Sequence, residues 1–253
     1  MELAGTSCLV TGGGSGLGEA TARALAAKGA KVAVLDLNQQ RADGVAKEIG
    51  GLAVAADVAD ATGVEAALEK IEGHHGAPRL VVHCAGISIS KRTVGRTGPH
   101  PLDEFEQVVR VNLIGTFNVV RLAVARMQAL PVLEDNERGA VVMTASVAAF
   151  EGQIGQAAYS ASKGGVAGLT LPLAREFASL GVRVCSIAPG LFLTPMMRTL
   201  PEEVQKALAD TSPFPKRLGD PSEYAALAIH IAENRMLNGE IIRLDAAVRL
   251  APR

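Results

Sequence analysis

A tyrosine and a lysine stand four positions apart in the run "AAYSASKGG" (157–165), as Tyr159 and Lys163. Positions i and i+4 of a helix share one face, so the phenol and the ammonium can reach the same point in space. Thirteen positions before the tyrosine, Ser146 closes the run "AVVMTAS" (140–146). A free tyrosine titrates near ~10 and is a poor base at neutral pH. A cation one helical turn away favours the phenolate, and a lowering of roughly two or three units makes Tyr159 a serviceable base. Ser146 would hydrogen-bond the same reacting oxygen and stabilise charge there. Such a set suits removal of a proton from an alcohol, or its return to an alkoxide. The Ala, Ser and Gly residues around the pair leave that face open to a ligand.

These groups need a scaffold, and the pattern of the chain supplies one. Short β-branched runs at 7–12, 31–36, 52–57, 80–86, 140–146, 182–190 and 239–245 read as strands. Helical patterns between them cover 16–28, 39–49, 60–72, 102–110, 112–129, 157–180 and 221–233. Continuous apolar strands separated by helices imply a parallel sheet covered on both faces. The expectation is an α/β fold: one doubly wound domain over 1–253 with a seven-stranded parallel sheet. Ligands bind outside the carboxyl ends of such strands. The irregular stretches 87–101 and 191–221 both leave those ends and read as walls of a site, while 131–139 reads as an insertion.

Composition narrows the partners. The 253 residues are 48% hydrophobic, enough for a substantial core. Lys+Arg 25 against Asp+Glu 26 gives a net charge of -1, with no general pull toward nucleic acid or an anionic membrane. Cys8, Cys84 and Cys185 lie in short apolar runs without metal-ligand spacing and read as buried thiols of a reducing compartment. The five histidines show no metal spacing either, so no metal is expected, and His74-His75 before Gly76 reads as a helix end. No apolar run reaches the ~18 residues of a membrane span. A first strand beginning by Ser7 leaves no room for a signal or transit peptide, so the expected location is cytoplasmic.

"TGGGSGLG" (11–18) joins the first strand to the first helix. Gly12, Gly16 and Gly18 let backbone approach a ligand, and the free amides of the helix start suit a pyrophosphate. Asp36 ends the second strand, eighteen positions beyond Gly18. A carboxylate there accepts both ribose hydroxyls of an adenosine and repels a 2′-phosphate, which favours NAD over NADP; Arg41 nearby softens the repulsion. Asp57 ends the third strand, where it either reaches the adenine amino group or caps the next helix.

Four elements in order resemble the short-chain dehydrogenase/reductase family over essentially the whole chain: TGxxxGxG from Thr11 to Gly18, Asn112 in "VNLIGTFNV", Ser146, and YxxxK from Tyr159 to Lys163. "TASVAAFEGQIGQAAYSASKGG", "IAPGLFLTPM", "PFPKRLGDPSEYA" and "NGEIIRLDAAVRL" are further similar to a subgroup, the short-chain (type II) 3-hydroxyacyl-CoA dehydrogenases. That subgroup is similar in carrying an insertion where 87–101 sits, and Cys84 where most of the family has Asn. Ala246 departs from it, standing where the subgroup usually has Gly. The resemblance implies a Rossmann domain, NAD as cofactor and a homotetramer built on the helices at 112–129 and 157–180. It implies cofactor contacts at Gly12, Ser15, Gly16, Leu17, Asp36, Asp57, Val58, Cys84, Tyr159, Lys163, Phe192 and Thr194. It implies a catalytic set of Asn112, Ser146, Tyr159 and Lys163, in which Lys163 also holds the nicotinamide ribose and Asn112 holds a relay water; Asn112 alone could equally cap its helix. The implied activity interconverts a secondary alcohol and a ketone, 3-hydroxyacyl-CoA and 3-oxoacyl-CoA first among them, a step of fatty acid metabolism.

The substrate end is less specified. No acid lies from Gly73 to Leu102, while Arg79, Lys91, Arg92 and Arg96 bring positive charge that either attracts the phosphates of coenzyme A or is simply solvated. Leu191, Phe192, Met196, Met197 and Leu200 read as an apolar lid. Ser146, Gln156 and Tyr159 are the candidate substrate contacts, with Gln153 and Gln156 equally able to stabilise their loop. The helix 157–180 lacks a polar face, with Pro172 expected to bend it, so it is buried in the core or against another subunit. Other readings are a hydroxysteroid or other secondary-alcohol dehydrogenase, a 3-oxoacyl carrier-protein reductase, against which Asp36 argues, and a scaffold or nucleotide-sensing subunit.

Overall fold

Valine, leucine and alanine fill the predicted strands without alternation, and the structure buries them on both sides. The computed structural model describes residues 1–96 and 98–252, with all their side chains except that of Met196. The strands are β1 (Ser7–Thr11), β2 (Lys31–Asp36), β3 (Leu52–Ala55), β4 (Leu80–His83), a small pair β5 (Val94–Gly95) and β6 (Gly98–Pro99), β7 (Gly139–Thr144), β8 (Val182–Pro189) and β9 (Ile241–Leu244). Seven of them form one parallel sheet in the order β3-β2-β1-β4-β7-β8-β9. The strand order reverses between β1 and β4, and a crevice opens there at the carboxyl ends.

The helices are α1 (Gly16–Ala27), α2 (Gln39–Ile49), α3 (Ala61–His75), α4 (Leu102–Val109), α5 (Gly115–Met127), α6 (Ala157–Glu176), α7 (Pro195–Arg198), α8 (Glu202–Asp210) and α9 (Pro221–Glu233). Alternate residues of β1 divide between two cores. Leu9 packs with Leu68, Val120 and Val166 from α3, α5 and α6. Cys8 and Val10 pack with Leu25, Val45 and Tyr224 from α1, α2 and α9. A doubly wound sheet needs this two-sided burial, because parallel strands leave no face for water.

Four differences from the sequence reading bear on the site. The predicted break between helices at 110 and 112 is absent: α4 and α5 run on through a π-helical turn, Arg110–Ile114, so Asn112 lies inside the helix rather than capping one. This continuous helix, Leu102–Met127, is long and apolar enough to cross a membrane by length and composition, which the reading of apolar runs missed; half of its most apolar window is buried inside the fold. Residues 87–101 are not wholly a loop, since β5 and β6 pair within them. The last turn of the predicted 157–180 helix tightens to a 3-10 turn, Phe177–Leu180, and Pro172 lies within α6. Ala246, where the resembled subgroup has Gly, adopts a left-handed backbone with φ 50, followed by Ala247 at φ 60.

Candidate active site

The loop after β1 is pressed against its neighbours. A Cβ on Gly12 (φ 63) would meet the backbone nitrogen of Ala85 at 2.8 Å, and one on Gly18 would meet the Gly12 carbonyl oxygen at 2.2 Å. A Cβ on Gly14 would lie 2.9 Å from Asp36 Oδ2. Ser15 precedes α1 in an extended conformation and makes no side-chain capping bond, so the first amides of the helix and its hydroxyl face the crevice. The Asp36 carboxylate accepts hydrogen bonds from the Gly14 amide at 3.0 Å and the Asn38 amide at 2.9 Å. Asp57 accepts from the Ala59 amide at 2.9 Å, while the cap of α3 is Asp60, so the capping reading of Asp57 is corrected. Glycines that admit backbone, free amides at a helix start and a carboxylate at the end of β2 fit a dinucleotide.

One cleft of about 810 Å³ takes in this end and the catalytic end. Gly12, Ser15, Gly16, Leu17, Asp36, Asp57 and Val58 line its first part. Cys84, Ser146, Gln156, Tyr159, Lys163, Phe192 and Thr194 line the rest. Its size is within the ordinary range for a small-molecule site.

At the catalytic end each side chain has a fixed job to start from. The Ser146 oxygen accepts from the Ala148 amide at 3.1 Å, which leaves the hydroxyl proton to donate to the Tyr159 oxygen across the cleft. The Lys163 ammonium is buried and donates to the Thr144 carbonyl at 2.7 Å; its Nζ stands 5.8 Å from the centre of the Tyr159 ring. Asn112 does not line the cleft. Turned inward by the π-helical segment, it accepts from the Ile87 amide at 2.8 Å and donates to the Ile87 carbonyl at 2.9 Å and Ser162 Oγ at 3.0 Å. It therefore ties the strand end 84–87 to α6, and a Cβ on Gly86 would lie 3.1 Å from its Oδ1.

The electrostatics differ from the sequence reading. Burial raises the Tyr159 phenol above its ordinary value, and the Ser146 hydroxyl pulls the other way. The expected lowering by Lys163 is not what governs this geometry, because the ammonium is held on Thr144. Burial also lowers Lys163 to about 8. Beneath the pair, His83 is wholly buried and pushed to about 3 by burial, with the Lys163 charge adding to it, so its imidazole is neutral. Its Nδ1 lies 2.9 Å from Thr11 Oγ1.

The basic loop is also corrected. Lys91 pairs with Glu104 at 2.5 Å, an acid just beyond the acid-free stretch, and Arg79 donates to the Arg138 and Pro131 carbonyls. Among the described residues, the cations lining the cleft are Arg41, Arg110 and Lys163, not Lys91, Arg92 or Arg96. Leu191, Phe192 and Met197 form part of the wall as read, Leu200 does not, and the side chain of Met196 lies outside the described residues. Gln156 accepts from the Gln153 amide at 3.1 Å, so both glutamines order their loop while facing the cleft. Leu250 completes the wall and was missed, since nothing in the sequence brings the C-terminal segment to this loop. Cys84, expected to be buried, is partly open to the cleft, and Cys8 and Cys185 are buried.

The chain is similar to known proteins over nearly its whole length. The family model described as short chain dehydrogenase matches residues 6–205. The chain is 50% identical over 248 residues to 3-hydroxyacyl-CoA dehydrogenase type-2 of Drosophila melanogaster, covering 96% of this chain and 97% of that protein. The Homo sapiens protein of the same name is 49% identical over 254 residues, covering 98% and 97%. A crystal structure of 3-hydroxyacyl-CoA dehydrogenase type-2 from Mycobacterium avium superposes with a TM-score of 0.95 at 43% identity, over 98% of each chain. With the glycine loop, the serine and the tyrosine–lysine pair meeting in one cleft, the chain belongs to the short-chain dehydrogenase family and is an oxidoreductase acting on a CH–OH group.

Proposed function

We propose that the protein interconverts 3-hydroxyacyl-CoA and 3-oxoacyl-CoA with NAD as its cofactor. The observation that carries the reading is the meeting of Ser146, Tyr159 and Lys163 at one end of a cleft whose other end is closed by Asp36. The 3-hydroxyacyl-CoA dehydrogenases that are about 50% identical to the chain supply the substrate class. Asp36 supports NAD, because a carboxylate there disfavours a 2′-phosphate.

Asp36 would hold the adenosine ribose, the amides of the 12–18 loop the pyrophosphate, and Lys163 the nicotinamide ribose. When bound, the oxidised nicotinamide supplies a hydride acceptor. Ser146 donates to the substrate oxygen and fixes its position, and Tyr159 takes the hydroxyl proton as the carbonyl forms. In the reverse direction Tyr159 returns the proton to the alkoxide. The buried Lys163 ammonium biases the phenol toward release of its proton, over whatever distance its Thr144 anchor leaves. Leu191, Phe192, Met197 and Leu250 give an acyl chain an apolar wall, and Arg110 adds a cation to the same lining.

We further propose a homotetramer. Ile114 and Phe117 on the α4–α5 helix and Leu171 on α6 are 52%, 43% and 44% exposed, large apolar side chains on the two helices that need cover. Light scattering on the purified protein checks it, and a monomer refutes it.

The test of function is a steady-state panel of acetoacetyl-CoA, a branched 3-oxoacyl-CoA and a hydroxysteroid, each with the NAD and NADP forms of the cofactor. The acyl-CoA substrates with NADH should give the highest kcat/KM, with Tyr159→Phe as the inactive control. Preference for the steroid overturns the substrate class, and turnover with NADPH alone overturns the role of Asp36.

A further inference from the structure

The chain contains two tyrosines, and the second lies directly behind the first one's site. Tyr224 sits on α9, is fully buried, and is joined to cleft residues by hydrogen bonds whose direction can be worked out. Thr144 Oγ1 lies 2.6 Å from the His83 carbonyl, which can only accept, so the threonine hydroxyl donates there. Thr144 Oγ1 also lies 2.6 Å from the Tyr224 hydroxyl. With its one proton already used, the threonine oxygen must accept, and the phenol donates to it. The Cys84 thiol, 3.6 Å from the Tyr224 oxygen, then donates to the phenol. The chain runs one way: Cys84 to Tyr224 to Thr144 to the carbonyl of His83.

Two members of this chain border the cleft. Cys84 and Thr144 line the cleft, and the backbone carbonyl of Thr144 receives the Lys163 ammonium at 2.7 Å. The threonine hydroxyl also ties the end of β7 to the end of β4, two adjacent strand ends beside Lys163. We propose that Tyr224 is a positioning residue, holding Thr144 so that its carbonyl keeps Lys163 in place beside Tyr159. The proposal rests on the reading of Lys163 as a working part of the dehydrogenase site. Burial raises both the Tyr224 phenol and the Cys84 thiol, which keeps each protonated and able to donate. The titratable groups that face Lys163 are Cys84, just beyond β4, whose charge would favour the ammonium, His83 at the end of β4, which burial and the ammonium keep neutral, and Tyr159 on its own helix.

The experiment compares Tyr224→Phe, Thr144→Val, their double variant and Lys163→Met. Two readouts are taken: the kcat and KM of acetoacetyl-CoA reduction across pH, and the titration of Lys163 in cofactor-free protein, followed by the labelled-lysine 13C resonance that Lys163→Met removes. Tyr224→Phe should lower kcat about tenfold, equivalent to about 1.4 kcal/mol, with the KM for NADH within about twofold. It should lower the Lys163 pKa by roughly half a unit or more, because a less firmly held carbonyl stabilises the ammonium less. Thr144→Val should do the same, and the double variant should be no worse than either single, since both act through one chain. A wild-type kcat with an unmoved Lys163 titration in Tyr224→Phe overturns the proposal, as do single effects that multiply in the double variant. If Lys163→Met keeps full turnover, the reading of the site falls and the positioning role with it. If Lys163→Met is inactive while Tyr224→Phe is normal by both readouts, the positioning role alone falls.

Discussion

Replacing Asp36 with asparagine removes a negative charge from the end of β2 while keeping the shape of the side chain. In the structure the Gly14 and Asn38 amides bind the carboxylate at 3.0 and 2.9 Å, and the group still faces the cleft with lone pairs to spare. A phosphate monoester carries about -1.5 to -2 charges at neutral pH. Two unit charges about 4 Å apart near a protein surface interact by about 4 kcal/mol. Asp36 is partly exposed and the Arg41 side chain lines the same end of the cleft, so about 2 kcal/mol of net repulsion is a fair value. A neutral amide also accepts a weaker bond from the ribose than a carboxylate does, a loss of about 1 kcal/mol for NAD. Together these amount to about 3 kcal/mol, so the preference for NAD over NADP should fall roughly a hundredfold in Asp36→Asn. Steady-state kcat/KM with each dinucleotide gives the ratio, and fluorescence titration with NADH and NADPH separates binding from turnover. Adding Arg41→Ala should cancel the gain for NADP. An unchanged ratio in Asp36→Asn refutes the electrostatic account.

Burial places Lys163 at about 8, so ketone reduction should decline as pH rises through that value and the ammonium is lost; a flat profile from pH 7 to 9 argues against it. The same depression means that the folded protein binds fewer protons than the unfolded chain between about 8 and the ordinary lysine range. Stability therefore rises with pH across that window, and the thermal midpoint of the wild type should gain on that of Lys163→Met there. Arg183 is buried against Glu137, with donation to the Ile231, Ala232 and Leu237 carbonyls at the end of α9. Arg183→Met should cost about 3 to 5 kcal/mol and lower the midpoint by roughly 10 °C with kcat unchanged. A shift below about 2 °C would show the network to be idle. Ala246→Gly relieves a left-handed backbone worth about 1 kcal/mol and should raise the midpoint by roughly 3 °C; a lower midpoint would mean that the alanine methyl is well packed.

The strands and the cofactor loop were legible because their signals are local. β-branched runs bounded by glycine state their own ends, and the close approach of Gly12 to Ala85 needs only the residue type that the sequence displays. Tyr159, Lys163 and Ser146 were legible by spacing. What failed depended either on a neighbour distant in sequence or on a local backbone turn that residue type does not encode. The charge of Lys91 is spent on Glu104, thirteen positions away on the next helix. Asp57 yields the cap to Asp60 because the chain makes one more turn before α3 begins. The π-helical turn at Arg110–Ile114 has no composition signature, yet it is what aims Asn112 at Ile87. Tyr224 lies 80 positions from Thr144, a partnership that no local pattern announces.

These misses explain why a tyrosine four residues before a lysine is inert on most helices. In water the two groups keep their ordinary pKa values and only brush past each other. Here burial raises the phenol and lowers the ammonium, so the buried site by itself favours the uncharged form of both. Proton transfer asks for the opposite charges, and the surroundings must supply the difference. The Thr144 carbonyl does so for the ammonium and the Ser146 hydroxyl does so for the phenol. In a medium of low effective dielectric such contacts are worth more than at the surface, and losing one leaves a buried group without compensation. The reactive unit is therefore the helix pair together with the end of β7, and a strand that ends on Thr144 with Ser146 two residues beyond is as much a requirement as the motif on α6.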